Sequence, residues 1–258
     1  MMTKIILCGS TGRMGSAVQD IVLAESGVEI VAGIDTTPPV KLPTYPVFAQ
    51  IQDCNVGADV VIDFLPPTAV GETLSLLDYC VQKKLPLLIC TTALPPEVET
   101  AIAQAAEEIP ILQSANLSLG LNLFINLLGH AAKILYNANF DVEIIEKHHN
   151  KKIDAPSGTA VVLANAINEA LDGGMEIVHD RSQVVASRER NQIGVHAIRG
   201  GSIVGEHSVL FAGMGETLEF THNAVSREVF AVGAIRAAQF LKGKEPGMYT
   251  MQDLVKSL

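Results

Sequence analysis

The amino-acid sequence predicts an α/β protein of two domains. The first is built on a doubly wound parallel sheet, and the second is an α+β domain with a mixed or antiparallel sheet. Three observations predict this. Apolar runs alternate with helix-length segments as far as Ser114, the signature of strand–helix–strand units with right-handed crossovers. Beyond that point a long helix leads into consecutive strand candidates with little helix between them. The length, 258 residues, also exceeds that of a usual single domain.

In chain order, Lys4–Cys8 is a strand, followed by three glycines and a helical pattern through Glu25. Val28–Ile34 is a second strand ending at Asp35. Residues 36–46, with four prolines, read as an irregular loop. Ala58–Leu65 is a strand, and Thr68–Lys83 a helix with apolar positions at three- and four-residue steps. Leu85–Cys90 is a strand, Pro96–Glu108 a helix opened by prolines, and Ile111–Ser114 a closing strand. Leu121, Phe124, Ile125, Leu128, Ala132 and Leu135 form one face of a helix. Val142–Glu146 alternates as a strand, and Ala160–Leu171 is an amphipathic helix. Strands follow at Val195–Ile198, Ser202–Phe211 and Thr217–Thr221. Ser226–Leu241 and Met251–Leu258 return to helix. The expected partition is residues 1–118 plus 230–258 for the first domain and 119–229 for the second.

Composition narrows the function. Hydrophobic residues make up 48% of the chain and aromatics only 5%, with no Trp. Aliphatic side chains must therefore fill the core, as in parallel sheets covered on both faces. A formal net charge of −10 disfavours nucleic acid or anionic lipid as partner. No stretch approaches the roughly 20 apolar residues needed to span a bilayer, and the N-terminus runs straight into a strand, so the sequence points to a cytoplasmic protein without a membrane partner. The four cysteines, Cys8, Cys54, Cys80 and Cys90, form no CxxC pair and no zinc-like spacing. They predict buried thiols and no metal.

Between the first strand and its helix lies Gly9-Ser10-Thr11-Gly12-Arg13-Met14-Gly15. Glycines let the backbone approach a pyrophosphate, and the helix N-terminus offers free N–H groups and a positive dipole end. The spacing GxxGxxG is weak alone. It gains from its context, because Asp35 closes the second strand where a carboxylate can bind the adenosine ribose hydroxyls. These features predict a Rossmann-like domain binding NADH or NADPH. Asp35 is followed by Thr36 and Thr37, and the nearest cation is Lys41, so the lean is to NADH.

The segment Glu146 to Thr159 gathers five potential cations, Lys147, His148, His149, Lys151 and Lys152, in an acidic protein. It ends in Pro156-Ser157-Gly158-Thr159 before a helix that Ser157 or Thr159 can cap, leaving N–H groups to meet an anion. A solvated charged turn with an ordinary cap is the bland alternative. The adjacent histidines, the lysine and the helix start together favour a site for a small anionic substrate.

The run His148-His149-x-x-Lys152-x-Asp154-Ala155-Pro156-Ser157-Gly158-Thr159 resembles the signature of the dihydrodipicolinate reductase (4-hydroxy-tetrahydrodipicolinate reductase) family. The agreement extends over nearly the whole chain. It takes in the glycine loop, Ser114-Ala115-Asn116-Leu117-Ser118-Leu119-Gly120, Arg199-x-Gly201-x-Ile203-x-Gly205-x-His207, and Gly233-Ala234-Ile235-Arg236. The resemblance implies reduction of a cyclic unsaturated imine dicarboxylate by NAD(P)H in lysine and diaminopimelate biosynthesis. It implies a homotetramer built through the second sheet, with the domains closing over ligand. His148 is then an acid/base and Lys152 the proton donor, while His149, Ser157, Gly158 and Thr159 hold a substrate carboxylate. Gly9, Ser10, Thr11, Gly12, Arg13, Met14 and Asp35 hold the cofactor, with Cys90, Thr91, Thr92, Ser114, Ala115, Asn116 and Leu117 toward the nicotinamide.

Such chemistry is physically coherent. Hydride addition to a conjugated imine leaves an electron-rich, enamine-like centre that a nearby acid must protonate. Whether Lys152 donates that proton or only neutralises charge stays open at this level, as does the protonation state in which His148 works. Two positions depart from the family pattern. Cys90-Thr91-Thr92-Ala93 replaces Gly-Thr-Thr-Gly, so a backbone conformation that glycine tolerates would be strained at Ala93. Asn150-Lys151 stands where Arg-His is common.

Two rival classes stand beside this reading, another small-substrate dehydrogenase and a binding protein without turnover. A semialdehyde dehydrogenase of similar build needs a cysteine nucleophile in the catalytic domain, and every cysteine falls within residues 8–90. An amino-acid dehydrogenase leaves the His-His to Ser-Gly-Thr run unexplained. A nucleotide-sensing protein without turnover would keep the glycine loop and Asp35 but have no use for His148 and Lys152.

Overall fold

The computed structural model describes residues 2–39, 43–182 and 184–258. Lys41 lies outside them. The chain divides into two compact units, Met1–Leu119 with Arg227–Leu258, and Gly120–Ser226 between these segments.

The first unit is the doubly wound sheet. Its strands are β1 (Thr3–Cys8), β2 (Val28–Ile34), β3 (Val47–Phe48), β4 (Val60–Asp63), β5 (Leu87–Ile89), β6 (Pro110–Gln113) and β12 (Gly247–Tyr249), all paired in parallel in the order β12-β6-β5-β4-β1-β2-β3. Side chains alternate across this sheet, because successive residues of a strand point to opposite faces. Ile6 and Cys8 therefore face α2 (Val70–Lys83) and α3 (Pro96–Ala105), which contribute Leu76, Leu77, Val98 and Ile102. Ile5 and Leu7 face the other way, onto α1 (Arg13–Ala24), α6 (Glu228–Leu241) and α7 (Met251–Ser257). Helix α6 supplies Ala231, Ala234, Ile235, Ala238 and Leu241 to that face, every one fully buried. Its Arg236 donates to Glu25 at 3.3 Å and Gln239 at 3.0 Å, an ordinary contact between helices α6 and α1.

The second unit carries a five-stranded mixed sheet in the order β11-β10-β7-β9-β8. Strands β7 (Asp141–His148) and β9 (Gln192–Arg199) run parallel, as do β8 (Glu176–Val178) and β9, while β10 (Gly205–Ala212) is antiparallel to both β7 and β11 (Thr217–Ala224). Helices α4 (Leu119–Asn137) and α5 (Gly158–Ala170) supply Leu121, Phe124, Leu128, Leu163 and Ile167 to its core.

Helix α4 departs from the expectation about membranes. Its 19 residues have a mean hydropathy of 1.2, long and apolar enough to cross a bilayer by length and composition. Here the inner stripe packs on the sheet, and His130 and Lys133 interrupt the outer one.

Candidate functional site

The glycine loop of the first unit joins β1 to α1 at the C-terminal edge of the parallel sheet. Strand order reverses between β2 and β4 on either side of β1, and in open α/β sheets ligands bind at this reversal. Gly9 has a φ of +71°, and a Cβ there would lie 2.8 Å from the Phe64 carbonyl oxygen. A Cβ on Gly15 would lie 2.7 Å from the Ser10 carbonyl oxygen. Only glycines close this turn, and the cradle they leave suits a pyrophosphate. Gly12 caps α1 without a side chain of its own, leaving the first N–H groups of the helix bare.

Three cavities border the loop, and two of them gather most of the expected cofactor residues. One of about 800 Å³ is lined by Gly9, Asp35, Gln50, Leu65 and Glu72 among others. Asp35 Oδ2 accepts from the Thr11 N–H at 3.0 Å and Oδ1 from the Thr37 N–H at 2.9 Å, so the carboxylate is fixed while each oxygen keeps a lone pair. Two acids line this cavity, and among the described residues no Lys or Arg does. The second cavity, about 300 Å³, brings Gly9, Gly12, Arg13 and Met14 together with Cys90, Thr91 and Thr92. Thr91 donates to the Leu65 carbonyl at 2.6 Å, tying that loop to the end of β4. Beneath it lies the fully buried Asp63, which burial pushes up to about 6.

Several expected cofactor residues line neither of these two cavities. Ser10 is only 1% exposed, with its hydroxyl packed against Gly33, and with Thr11, Gln19, Asp20 and Tyr45 it lines the third cavity, of about 290 Å³. Ser114, Ala115, Asn116 and Leu117 line neither of the two. Ser114 Oγ donates to the Asn116 carbonyl at 2.9 Å, and Leu117 is buried against Gly233 of α6, so this segment is a tight turn that fixes the helix.

Ala93 stands at φ +54°, the left-handed region that costs a residue with a Cβ roughly 1–2 kcal/mol. Ala93→Gly should therefore raise stability by roughly 0.5–1 kcal/mol, after allowing for glycine's larger unfolded-state entropy. An unchanged or lower denaturation midpoint would refute the strain at this position.

In the second unit the basic segment is organised by a buried acid. Burial pattern along β7 is strictly alternating, and Glu146 shares the inner face with Val142, Ile144 and His148. Glu146 is fully buried. Its carboxylate accepts from His148 Nδ1 at 2.6 Å, from the Ser157 N–H at 3.0 Å, and from Arg199 through two bonds of 2.8 and 2.7 Å. Burial works to raise this carboxyl, but Arg199, His148 and the Ser157 N–H together hold it below the usual carboxylate range. Arg199 also donates to the Asp154 carbonyl at 2.6 Å, fastening the loop that carries Lys152.

Ser157 is the N-cap of α5. Its hydroxyl oxygen accepts from the Ala160 N–H at 3.2 Å, and the hydroxyl shares a hydrogen bond with His207 Nε2, 3.0 Å away. The Ser157 side chain is thus committed inward, and Thr159 does not serve as the cap. Gly158 and Thr159 begin the helix, so their N–H groups have no intrahelical acceptor, and a Cβ on Gly158 would meet nothing within 4 Å. Lys152 pairs with Asp154 at 2.8 Å, and His149 Nδ1 is buried without a hydrogen-bond partner among the described residues.

His207 is buried and lies edge-on to His148, ring centroids 5.1 Å apart. Burial, and next the proximity of His148, push its imidazole down to about 4, so at neutral pH it is uncharged beside the Ser157 hydroxyl. An unfolded chain takes up this proton near pH 6.5 and the folded one near pH 4. The folded state is therefore favoured fully above pH 6.5 and loses roughly 3 kcal/mol as pH falls through this window. Denaturant unfolding of the second unit should show a shallower acid slope in His207→Asn than in the wild-type chain, and parallel curves would contradict the assignment. Asp63 has the opposite sign, since its raised value favours the folded first unit at low pH and loses that contribution toward pH 6.

Glu146, Arg199, Gly205 and His207 had no site role in the sequence reading. The available signal was an acid on the apolar face of an alternating strand, two residues before a histidine. Arg199 and His207 stand in a family-like motif of the sequence, but their place beside Glu146 and Ser157 emerges only when β9 and β10 join the sheet.

Comparison with known proteins agrees along the whole chain. Residues 3–117 match the family model described as dihydrodipicolinate reductase, N-terminus, and residues 120–255 match dihydrodipicolinate reductase, C-terminus. A 4-hydroxy-tetrahydrodipicolinate reductase from Clostridium novyi is 47% identical over 256 residues, covering 99% of each chain. One from Aquifex aeolicus is 38% identical over 269 residues, again covering 99% of each. Among solved structures, the dipicolinate-bound dihydrodipicolinate reductase from Paenisporosarcina sp. TG-14 has the same fold, with a TM-score of 0.80 at 24% identity and all of both chains covered. With each half matched by its own model and relatives aligned from end to end, the chain belongs to the dihydrodipicolinate reductase family of oxidoreductases.

Proposed function

We propose that this chain reduces 4-hydroxy-tetrahydrodipicolinate, a cyclic unsaturated imine dicarboxylate, to tetrahydrodipicolinate in lysine and diaminopimelate biosynthesis. The observation that carries this reading is the cluster in the second unit. A buried carboxylate holds His148 in place, and the same carboxylate fixes the start of α5, where the Gly158 and Thr159 N–H groups stand free for an anion. His149 and those N–H groups hold a substrate carboxylate. Lys152 and His148 supply the proton that the electron-rich ring requires and offset its charge.

The first unit holds NADH, which supplies the hydride. Asp35 takes the ribose hydroxyls, the glycine loop takes the pyrophosphate, and Thr91 and Thr92 face the remainder. NADH is favoured over NADPH because a 2′-phosphate would meet Asp35 and Glu72 in one cavity, with no cation among its described lining residues. The protein works in the cytoplasm as a homotetramer. Leu218 on β11 and Ile198 on β9 are 44% and 46% exposed, apolar surface that assembly through this sheet would cover.

The test follows NADH and NADPH absorbance with the condensation product of pyruvate and aspartate semialdehyde, using a preparation sized by sedimentation. Turnover with kcat/KM for NADH at least about tenfold above NADPH, at four protomer masses, is expected. No turnover with NADH still bound would favour the nucleotide-sensing alternative.

A further inference from the structure

We propose that Glu146, clamped by Arg199, is the positioning residue that fixes His148 as an Nδ1–H donor and so makes Nε2 the nitrogen that exchanges protons. The inference rests on the reductase reading for what that nitrogen does, and on geometry alone for which nitrogen it is.

An ionised carboxylate can only accept hydrogen bonds. Glu146 Oε2 lies 2.6 Å from His148 Nδ1, and its four contacts are all with donors, so the Nδ1 proton belongs to the imidazole. The other ring nitrogen looks out past Gly205. A Cβ built on Gly205 would lie 3.2 Å from Nε2, so the missing side chain keeps this edge of the ring accessible. One imidazole nitrogen is therefore tethered inside the protein and the other left open, the division of labour that an acid/base histidine needs.

A purely structural role for the carboxylate does not fit the surroundings. The strands it would join are already held by a backbone ladder in which His148 is opposite Arg199 and Glu146 opposite Ala197. A buried ion pair is a poor source of stability, because desolvation offsets most of the attraction and apolar replacements are often neutral. Arg199 nevertheless spends both terminal nitrogens on this acid. The pair thus leaves the carboxylate charged and in register with the ring, and through Asp154 and Ser157 it ties the ring to the Lys152 loop and the start of α5.

The experiment uses the full chain with NADH bound and 15N-labelled histidine. Long-range 1H–15N spectra at alkaline pH, where a neutral imidazole shows its tautomer, are assigned by loss of the His148 signals in His148→Gln. The wild-type spectrum should show His148 protonated at Nδ1. Glu146→Gln should redistribute the proton toward Nε2 and lower kcat roughly 10²-fold, with KM for NADH within about twofold, and Glu146→Asp should recover part of both. If Glu146→Gln fails to fold, the wild-type spectrum still decides. An Nε2–H tautomer in an active wild type overturns the positioning role alone. A wild type that binds NADH, shows the Nδ1–H tautomer and does not turn over overturns the reductase reading, and with it the catalytic use of Nε2.

Discussion

His148→Gln should lower kcat by roughly 10²- to 10⁴-fold, the range expected when a positioned acid/base group is lost. Glutamine can still donate one hydrogen bond to Glu146, so the start of α5 and the Arg199 clamp should survive. What goes is a group that can take up and release a proton at the open edge. Lys152→Ala should cost a comparable factor and also raise KM for the dicarboxylate, because Asp154 would then stand without its cation in a loop meant to attract anions. Neither residue belongs to the unit that carries Asp35 and the glycine loop, so NADH affinity should move less than about twofold in both. Steady-state kinetics beside NADH fluorescence titrations separate these quantities. Activity within about threefold of wild type in both variants would remove the proposed chemistry from this segment.

The largest stability effect should come from the smallest substitution. A Cβ on Gly233 would run into the Leu117 carbonyl, with the carbonyl carbon 2.7 Å away. Backbone cannot rotate aside as a side chain can, so α6 would have to lift from the turn at Ser114–Leu117 and loosen Ala231, Ala234 and Ile235. Overpacking of this kind typically costs 1–3 kcal/mol. Here the clash is with main chain under a whole helix, and Gly233→Ala should cost roughly 3 kcal/mol. Gly129→Ala is the control. It too sits in a long helix, α4, but its nearest neighbour beyond the helix is the Ala170 side chain at 3.8 Å, an ordinary contact. That variant should gain up to about 1 kcal/mol from helix propensity. Chemical denaturation of both reads the sign directly, and two shifts of the same sign would contradict the packing described for α6.

These contrasts show where sequence reasoning reaches. The strand–glycine–helix opening, the alternation of β7 and the apolar stripe of α4 are periodic and local, and they were legible as pattern. Strands β3, β8 and β12 are only two or three residues long, too short for any period to register, and they exist because a longer neighbour offers a ladder. The departure at Cys90–Ala93 was legible as a missing glycine, and the positive φ of Ala93 shows that the backbone kept its turn and accepted the strain. The same limit applies at the candidate site. That His148 and Lys152 share a basic segment can be seen in one line of sequence. That Glu146 lies under the histidine, with Arg199 arriving from 53 residues away, requires the sheet.

The interrupted layout of the first unit has a consequence for how a ribosome delivers this chain. Residues through Leu119 emerge first, yet the sheet face formed by Ile5, Leu7, Ile62 and Leu88 is closed by α6, which follows Arg227. At ordinary elongation speeds that face waits on the order of ten seconds for its cover. Meanwhile Gly120–Ser226, contiguous in sequence, has every strand and helix of its own core in hand. The nascent chain should therefore acquire protease resistance in the middle before it does at the beginning, and stalled chains that end before α6 should be the ones that engage chaperones. Early resistance of the N-terminal segment in such stalled chains would show that α6 is dispensable for closing that face.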